Sequence, residues 1–137
     1  MLTSPAEIRA FAKAGNATLT LRSTKTDRHF TYKVSKVPDA EDKFFISLLS
    51  GPDNETNFSY LGLMTCNQFR TTAKSCASSE APSAKAFSYF CRAVLQQEVL
   101  PSTLEVRHEG RCGRCNRKLT TPESLDRGIG PECWSRL

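Results

Sequence analysis

Three cysteines near the end of the chain, Cys112, Cys115 and Cys133, have the types and spacing of metal ligands. A Cys-x-x-Cys turn brings two thiolates to one point at tetrahedral spacing. Asn116, the residue after it, tolerates the left-handed backbone such knuckles need. Gly130-Pro131-Glu132 leads to Cys133 near the start of a last short helix. A helix N-terminus favours a thiolate, so Cys133 is electrostatically suited to ligation. A closed structural zinc site takes four ligands. His108 is the nearest candidate for the fourth, giving His-x3-Cys-x2-Cys-x17-Cys. Cys91 is the next, although its place on an apolar helix stripe suits a core residue better. Cys66 and Cys76 are weaker candidates, and an aqueous ligand at an open fourth position would bring catalytic potential.

Other chemistries have less support. A redox dithiol is expected in a thioredoxin-like βαβ context, which is missing around Cys112. Six cysteines are an even number, but Cys66, Cys76 and Cys91 are scattered. The start, Met1-Leu2-Thr3-Ser4-Pro5, lacks the basic and apolar regions of a secretory signal. No apolar run approaches the roughly 18 residues of a membrane span. The expectation is a protein of a bacterial host's cytoplasm, where tight Cys-x-x-Cys pairs bind metal more often than they form disulfides. An enzyme is not expected. The only histidines are His29 and His108, and no Gly-rich phosphate loop or nucleophile–base set can be assembled. Glu132 beside Cys133 is placed like an acid/base residue next to catalytic zinc. The deaminase pattern of His-x-Glu with Pro-Cys-x-x-Cys is nevertheless absent.

The net charge is +5, unevenly distributed. Residues 107–137 carry seven Arg or Lys against four acids, a net of +3, and the other 106 residues only +2. A cationic end suits a polyanionic partner. Arg111, Arg114, Arg117, Lys118 and Arg127 are the candidate phosphate contacts, a sequence-independent mode of binding. A sheet exposing Tyr32 or Tyr60 could add base stacking. The same aromatics alternate as core residues do.

Elements that position these groups can be read upstream. Ser4, Pro5 and Glu7 form a capping-box pattern ahead of Ile8 and Phe11, and Gly15-Asn16 stops the helix, so one is expected over about 4–14. Ala17, Leu19 and Leu21 alternate with polar residues, as do Phe30, Tyr32 and Val34, with Lys25-Thr26-Asp27 as the hairpin loop. Lys43–Leu49 reads as a central strand and Gly51-Pro52-Asp53-Asn54 as a turn. Phe58–Met64 is a fourth strand and Gln68–Thr72 a short fifth. Cys76–Ser83 is small and polar, hence a loop. A helix over about 83–99 carries Phe87, Phe90, Cys91, Val94 and Leu95 on one stripe, and Pro101 ends it. Thr103–Val106 is a strand leading to the metal region, where Leu119 returns and Thr121-Pro122-Glu123 opens a helical turn. The expected fold is α+β: an antiparallel sheet packed with a helix over 1–106, then a zinc-finger segment over 107–137. Knuckle, hairpin and helix are the order of a treble-clef finger.

Gly110-Arg111-Cys112-Gly113-Arg114-Cys115, Leu119-Thr120, Pro122-Glu123-Ser124 and Gly128-Ile129-Gly130-Pro131-Glu132-Cys133 resemble a family of small zinc-finger domains of unknown function from phage and plasmid proteins. The likeness spans about 108–134. That family commonly has Gly where this chain has Asn116. Phe30-Thr31-Tyr32, Gly51-Pro52-Asp53-Asn54 and Pro82-Ser83-Ala84-Lys85-Ala86-Phe87 are similar to the segment that precedes this finger in some of those proteins. The resemblance implies a mobile-element origin and no particular activity. Two functions are expected from these readings. The first is a non-catalytic nucleic-acid-binding accessory protein. The alternative is a protein-binding module, such as a phage inhibitor that docks on a host defence complex.

Overall fold

The computed structural model describes residues 2–49, 58–120 and 122–136. Helix α1 (Pro5–Ala12) starts where Pro5 sets the first helical φ. Strands β1 (Asn16–Ser23), β2 (His29–Lys36), β3 (Lys43–Leu49), β4 (Phe58–Thr65) and β5 (Gln68–Arg70) follow, then helix α2 (Pro82–Phe90), which continues as a π-helical segment over Cys91–Gln96. Strand β6 (Leu104–His108) leads to α3 (Pro122–Arg127) and α4 (Pro131–Ser135).

The six strands form one sheet in the order β5-β4-β3-β2-β1-β6, antiparallel throughout. Period-two alternation sets its faces. Ala17, Leu19, Leu21, Tyr32, Val34, Phe44 and Ile46 are buried, on the face covered by Ile8 and Phe11 of α1 and by Phe87, Phe90, Val94 and Leu95. The opposite face carries the intervening residues, among them Thr18, Thr20, Lys33 and Phe45. The α+β class and the antiparallel sheet are therefore as expected.

Details differ from the sequence reading. Ser4 occupies the N-cap position and its carbonyl accepts the Ile8 N–H at 2.9 Å, but its side chain makes no capping bond, so the capping box does not form. The long helix begins at Pro82 and changes to i→i+5 bonding, as when the Gln97 N–H donates to the Arg92 carbonyl at 3.1 Å. Apolar spacing alone cannot register that extra residue per turn. The strand before the metal region runs on to His108 and becomes the sheet edge beside β1. The turn expected at 51–54 and the N-cap expected at Thr121 lie outside the described residues.

Tyr32 is fully buried and donates its hydroxyl to the Ser83 carbonyl at 2.7 Å, so it offers no face to a base. Tyr60 is half-buried and its hydroxyl accepts from Thr72 Oγ1 at 3.1 Å. Cys91 lies in the core against Met64, its Sγ 3.6 Å from the Met64 sulfur, and burial pushes its thiol pKa up. It belongs to the apolar stripe, away from the metal cluster.

A candidate metal centre

The C-terminal segment is small, and its order comes from three sources. Its backbone folds into a knuckle. The Cys112 N–H donates to the Arg117 carbonyl at 2.8 Å, the Asn116 N–H to the Cys112 carbonyl at 2.9 Å, and Arg111 bridges Lys118 in a short antiparallel pair. Asn116 takes the left-handed conformation at φ 65°, as its type allows. The second source is docking on α1. Phe11 is fully buried, and a Cβ built on Gly113 or Gly128 would lie 2.7 or 2.6 Å from the Phe11 ring. Both glycines are needed for that close approach, and Gly128 also sits at φ 74°. The Gly113 N–H donates to the Gly128 carbonyl at 2.9 Å, and the Asn16 N–H to the Gly113 carbonyl at 2.7 Å. The knuckle and the α3–α4 turn thus meet on one phenyl ring, and the start of β1 is hydrogen-bonded to the knuckle.

The third source is the cysteine cluster. The Sγ atoms of Cys112, Cys115 and Cys133 lie within 4.8 Å of one another and could hold a metal ion. Sulfurs at ordinary Zn–S distance on a tetrahedron stand about 3.8 Å apart, so the three fit one ion with small adjustment. Cys112 is buried, whereas Cys115 is exposed and Cys133 half-buried. Burial disfavours the Cys112 thiolate, but N–H donors from Gly130, Cys115 and Arg114 outweigh it and hold its pKa at about 7. The Arg114 and Cys115 donors lie 3.4 and 3.5 Å from Cys112 Sγ. Cys133 moves the other way, to about 11, through burial and through its hydrogen bonds with, and the charge of, the other two sulfurs. The sequence reading placed the helix-start benefit on Cys133. Instead the Gly130 N–H, at the N-cap of α4, serves Cys112.

His108 takes a different place from the one expected. Its Nδ1 accepts the Gly110 N–H at 2.9 Å, and its Nε2 bonds the Leu125 carbonyl. Its ring centroid is 5.9 Å from that of Phe11. Both ring nitrogens are engaged outside the cluster, which among the described residues contains three cysteines. His108 joins the end of β6 to α3 and so holds the knuckle and its helix together. Spacing alone made it a ligand. In the fold, Gly110 turns the chain at φ 77° and donates to one ring nitrogen, while the other meets the Leu125 carbonyl on α3.

A cavity of about 210 Å³ adjoins the sulfurs, lined in part by Arg117, Lys118, Ser124 and Glu132. Arg111, Arg114, Arg117 and Lys118 are all exposed around the knuckle. Arg111 donates to the Asn116 carbonyl at 3.3 Å. Arg127 stands apart, half-buried, its guanidinium 4.7 Å from the Trp134 ring centroid. The groups that sequence reasoning missed are Phe11, Gly113 and Gly128. Their signal was the pair of glycines at the knuckle and before the third cysteine.

Residues 102–137 match the model of a family of unknown function (DUF6011). The matched stretch covers β6, the knuckle and both short helices, the elements that carry the cysteine cluster. No curated protein and no solved structure matches the chain. Among the described residues, no helix is long and apolar enough to cross a membrane.

Proposed function

We propose that the chain is a small, non-catalytic accessory protein of a phage or plasmid that works in a bacterial cytoplasm. One Zn2+ would staple its C-terminal module, and the cationic knuckle of that module would bind nucleic acid. Zinc is the ion that best suits a set of thiolates held by a closed backbone knuckle. When bound it supplies folding energy to a segment with little apolar core. The mobile-element origin rests on the resemblance of the cysteine scaffold.

The observation that carries the nucleic-acid reading is the disposition of Arg114, Arg117 and Lys118. All three are exposed, and no ion pair among the described residues involves them. Exposed, unpaired cations of this kind would neutralise backbone phosphates rather than read bases. Arg111 would join them, while Arg127, stacked on Trp134, would serve mainly to hold α3 against α4.

Purified protein should carry about one zinc per chain. Binding to a short duplex and to a single strand should weaken steeply with salt, with a slope of about 0.9 per phosphate contact on the duplex and 0.7 on the strand. Arg114→Ala with Arg117→Ala should cut that slope by roughly one to two units without loss of metal. If neither nucleic acid is bound at about 50 mM salt, the reading fails.

One feature favours the protein-binding alternative. Phe45 is 42 % exposed on the sheet face opposite the helices, its ring centroid 6.3 Å from that of Tyr60. A nuclease-resistant complex with a host defence protein that is lost in Phe45→Asp would support a docking role.

A further inference from the structure

A second cationic surface lies at the opposite end of β6 from the metal cluster. The β1–β2 hairpin loop, the exposed side of α2 and the start of β6 enclose a cavity of about 410 Å³. Its floor is apolar. Leu21 is buried there, and Phe30 and Leu104 are half-buried against the core. Tyr89, 38 % exposed, forms a wall, and the Arg92 guanidinium lies 5.8 Å from its ring centroid. Lys25, Arg28 and Lys85 complete the lining.

The charge of this rim is poorly balanced. The nearby acids include Asp27, Glu80 and Glu105, the last paired with Arg22 at 3.0 Å. Asp27 is held by Arg22 at 2.6 Å and Glu80 by Lys85 at 3.2 Å. No ion pair among the described residues involves Lys25 or Arg28. A second hollow of about 420 Å³ shares Arg28, Phe30 and Pro82 with the first, so the trough continues past the Phe30 ring. An apolar slot beside an exposed aromatic suits a planar base, and cations spaced along a rim suit successive phosphates. A smooth acidic peptide would use the cations and leave the slot unfilled.

We propose that this trough binds single-stranded nucleic acid, with a base against Tyr89 and Phe30, phosphates on Lys25 and Arg28, and a further phosphate on Lys85 in exchange for its exposed Glu80 partner. The site shares its partner class with the finger reading but stands on different residues, so either can fail alone.

The test compares wild type, Arg28→Ala with Lys85→Ala, Tyr89→Ala, and Arg114→Ala with Arg117→Ala. The probes are labelled dT12, the same sequence as a duplex, and thymidine monophosphate. These substitutions are at exposed or half-exposed positions, and circular dichroism checks the fold. The trough variants should each weaken dT12 about tenfold and barely change duplex binding. The salt slope on dT12 should fall by about 0.7 for each phosphate contact removed. Amide shifts on adding dT12 should fall on Lys25, Arg28 and Tyr89. Binding of the monophosphate with the affinity of dT12 would overturn the strand assignment in favour of a free nucleotide. Equal displacement of dT12 by polyglutamate of matched charge would reduce the trough to an unspecific anion site and overturn it also. Unchanged dT12 affinity in both trough variants would remove the site altogether. Loss of binding only in the Arg114 and Arg117 variant would leave the finger reading standing alone, and no effect of that variant would sink the finger reading while leaving the trough intact.

Discussion

The sheet and the finger reach order by different means. In residues up to about 106 the alternation of apolar side chains buries a continuous core, from Leu2 and Ile8 to Tyr32, Ile46 and Leu95. The hydrophobic effect suffices there. In the finger, Cys112, Leu119 and Ile129 are the buried apolar side chains among the described residues, while Leu125 and Trp134 are 41 % and 38 % exposed. Those three belong to the same cluster as the sheet residues. Among the described residues the finger therefore has no separate core. It shares β6 with the sheet and Phe11 with α1, and the expected boundary between 106 and 107 falls inside a strand. A module too small to fold alone can be held by a metal, by docking, or by both; here the docking is seen directly, and the cysteine cluster could hold the metal.

Metal removal should have the largest effect on this comparison. Cys115→Ser, or a strong chelator, should abolish amide protection over about 109–136 while β1 to β4 stay protected. Structural zinc contributes on the order of 10 kcal/mol in small fingers, far more than Leu119 and Ile129 can offset. The melting temperature of the remaining fold should fall too, because Phe11 loses its cover. If hydrogen exchange showed the sheet opening together with the finger, the two regions would be one cooperative unit and the contrast would break.

The docking ring comes next. Phe11→Ala should destabilise the chain by roughly 3–5 kcal/mol, the usual range for a fully buried aromatic. Gly128→Ala should cost about 2–3 kcal/mol, from a Cβ placed against the ring and from the strained positive φ. Both variants should weaken metal retention in a competition with a chromophoric chelator, although neither residue has a metal ligand atom. Retention unchanged from wild type would show that the finger holds its ion without α1.

How much of this could be read beforehand follows from the same contrast. Alternation placed β1 and β2, a nearly continuous apolar run placed β3, and Cys-x-x-Cys with Gly-Pro-Glu-Cys placed the three sulfurs, because those signals are local. The fourth-ligand assignment to His108 depended on which way one ring turns after β6, and here that ring bonds Gly110 and Leu125 outside the three-cysteine cluster. The value of Phe11 could not be seen in the helix pattern, where it is one more apolar residue. It depends on two glycines more than a hundred residues away. Tyr32 was open to two readings because alternation does not say which face is covered. The π-helical segment at Cys91–Gln96 keeps its apolar residues buried, so composition gives no warning of the changed bonding.

The smallest effect is the most useful for separating the two regions, because it acts on the strand they share. Arg22 on β1 meets Glu105 on β6 at 3.0 Å, and Arg107 meets the same carboxylate at 3.0 Å. The Arg22 hydrogen bond, with help from Arg107, outweighs the opposing effect of desolvation and holds the Glu105 carboxyl below the usual carboxylate range. A carboxyl depressed in the folded state adds stability above its unfolded pKa of about 4.3 and loses it as pH falls through the folded value. Glu105→Gln should therefore lower the melting temperature slightly at pH 7, and its difference from wild type should shrink as the solution is acidified below about pH 4. The pair is exposed enough for salt to reduce the effect as well. Acid would also protonate the cysteines and release any metal they hold, so the comparison must be a difference between the two proteins at each pH. If metal loss is confined to the finger, the difference measured with chelator present should match the one without it, since β1 and β6 remain paired. A difference that disappears on chelation would mean that β6 leaves the sheet with the finger, and that the boundary between the two regions lies at the β1–β6 seam.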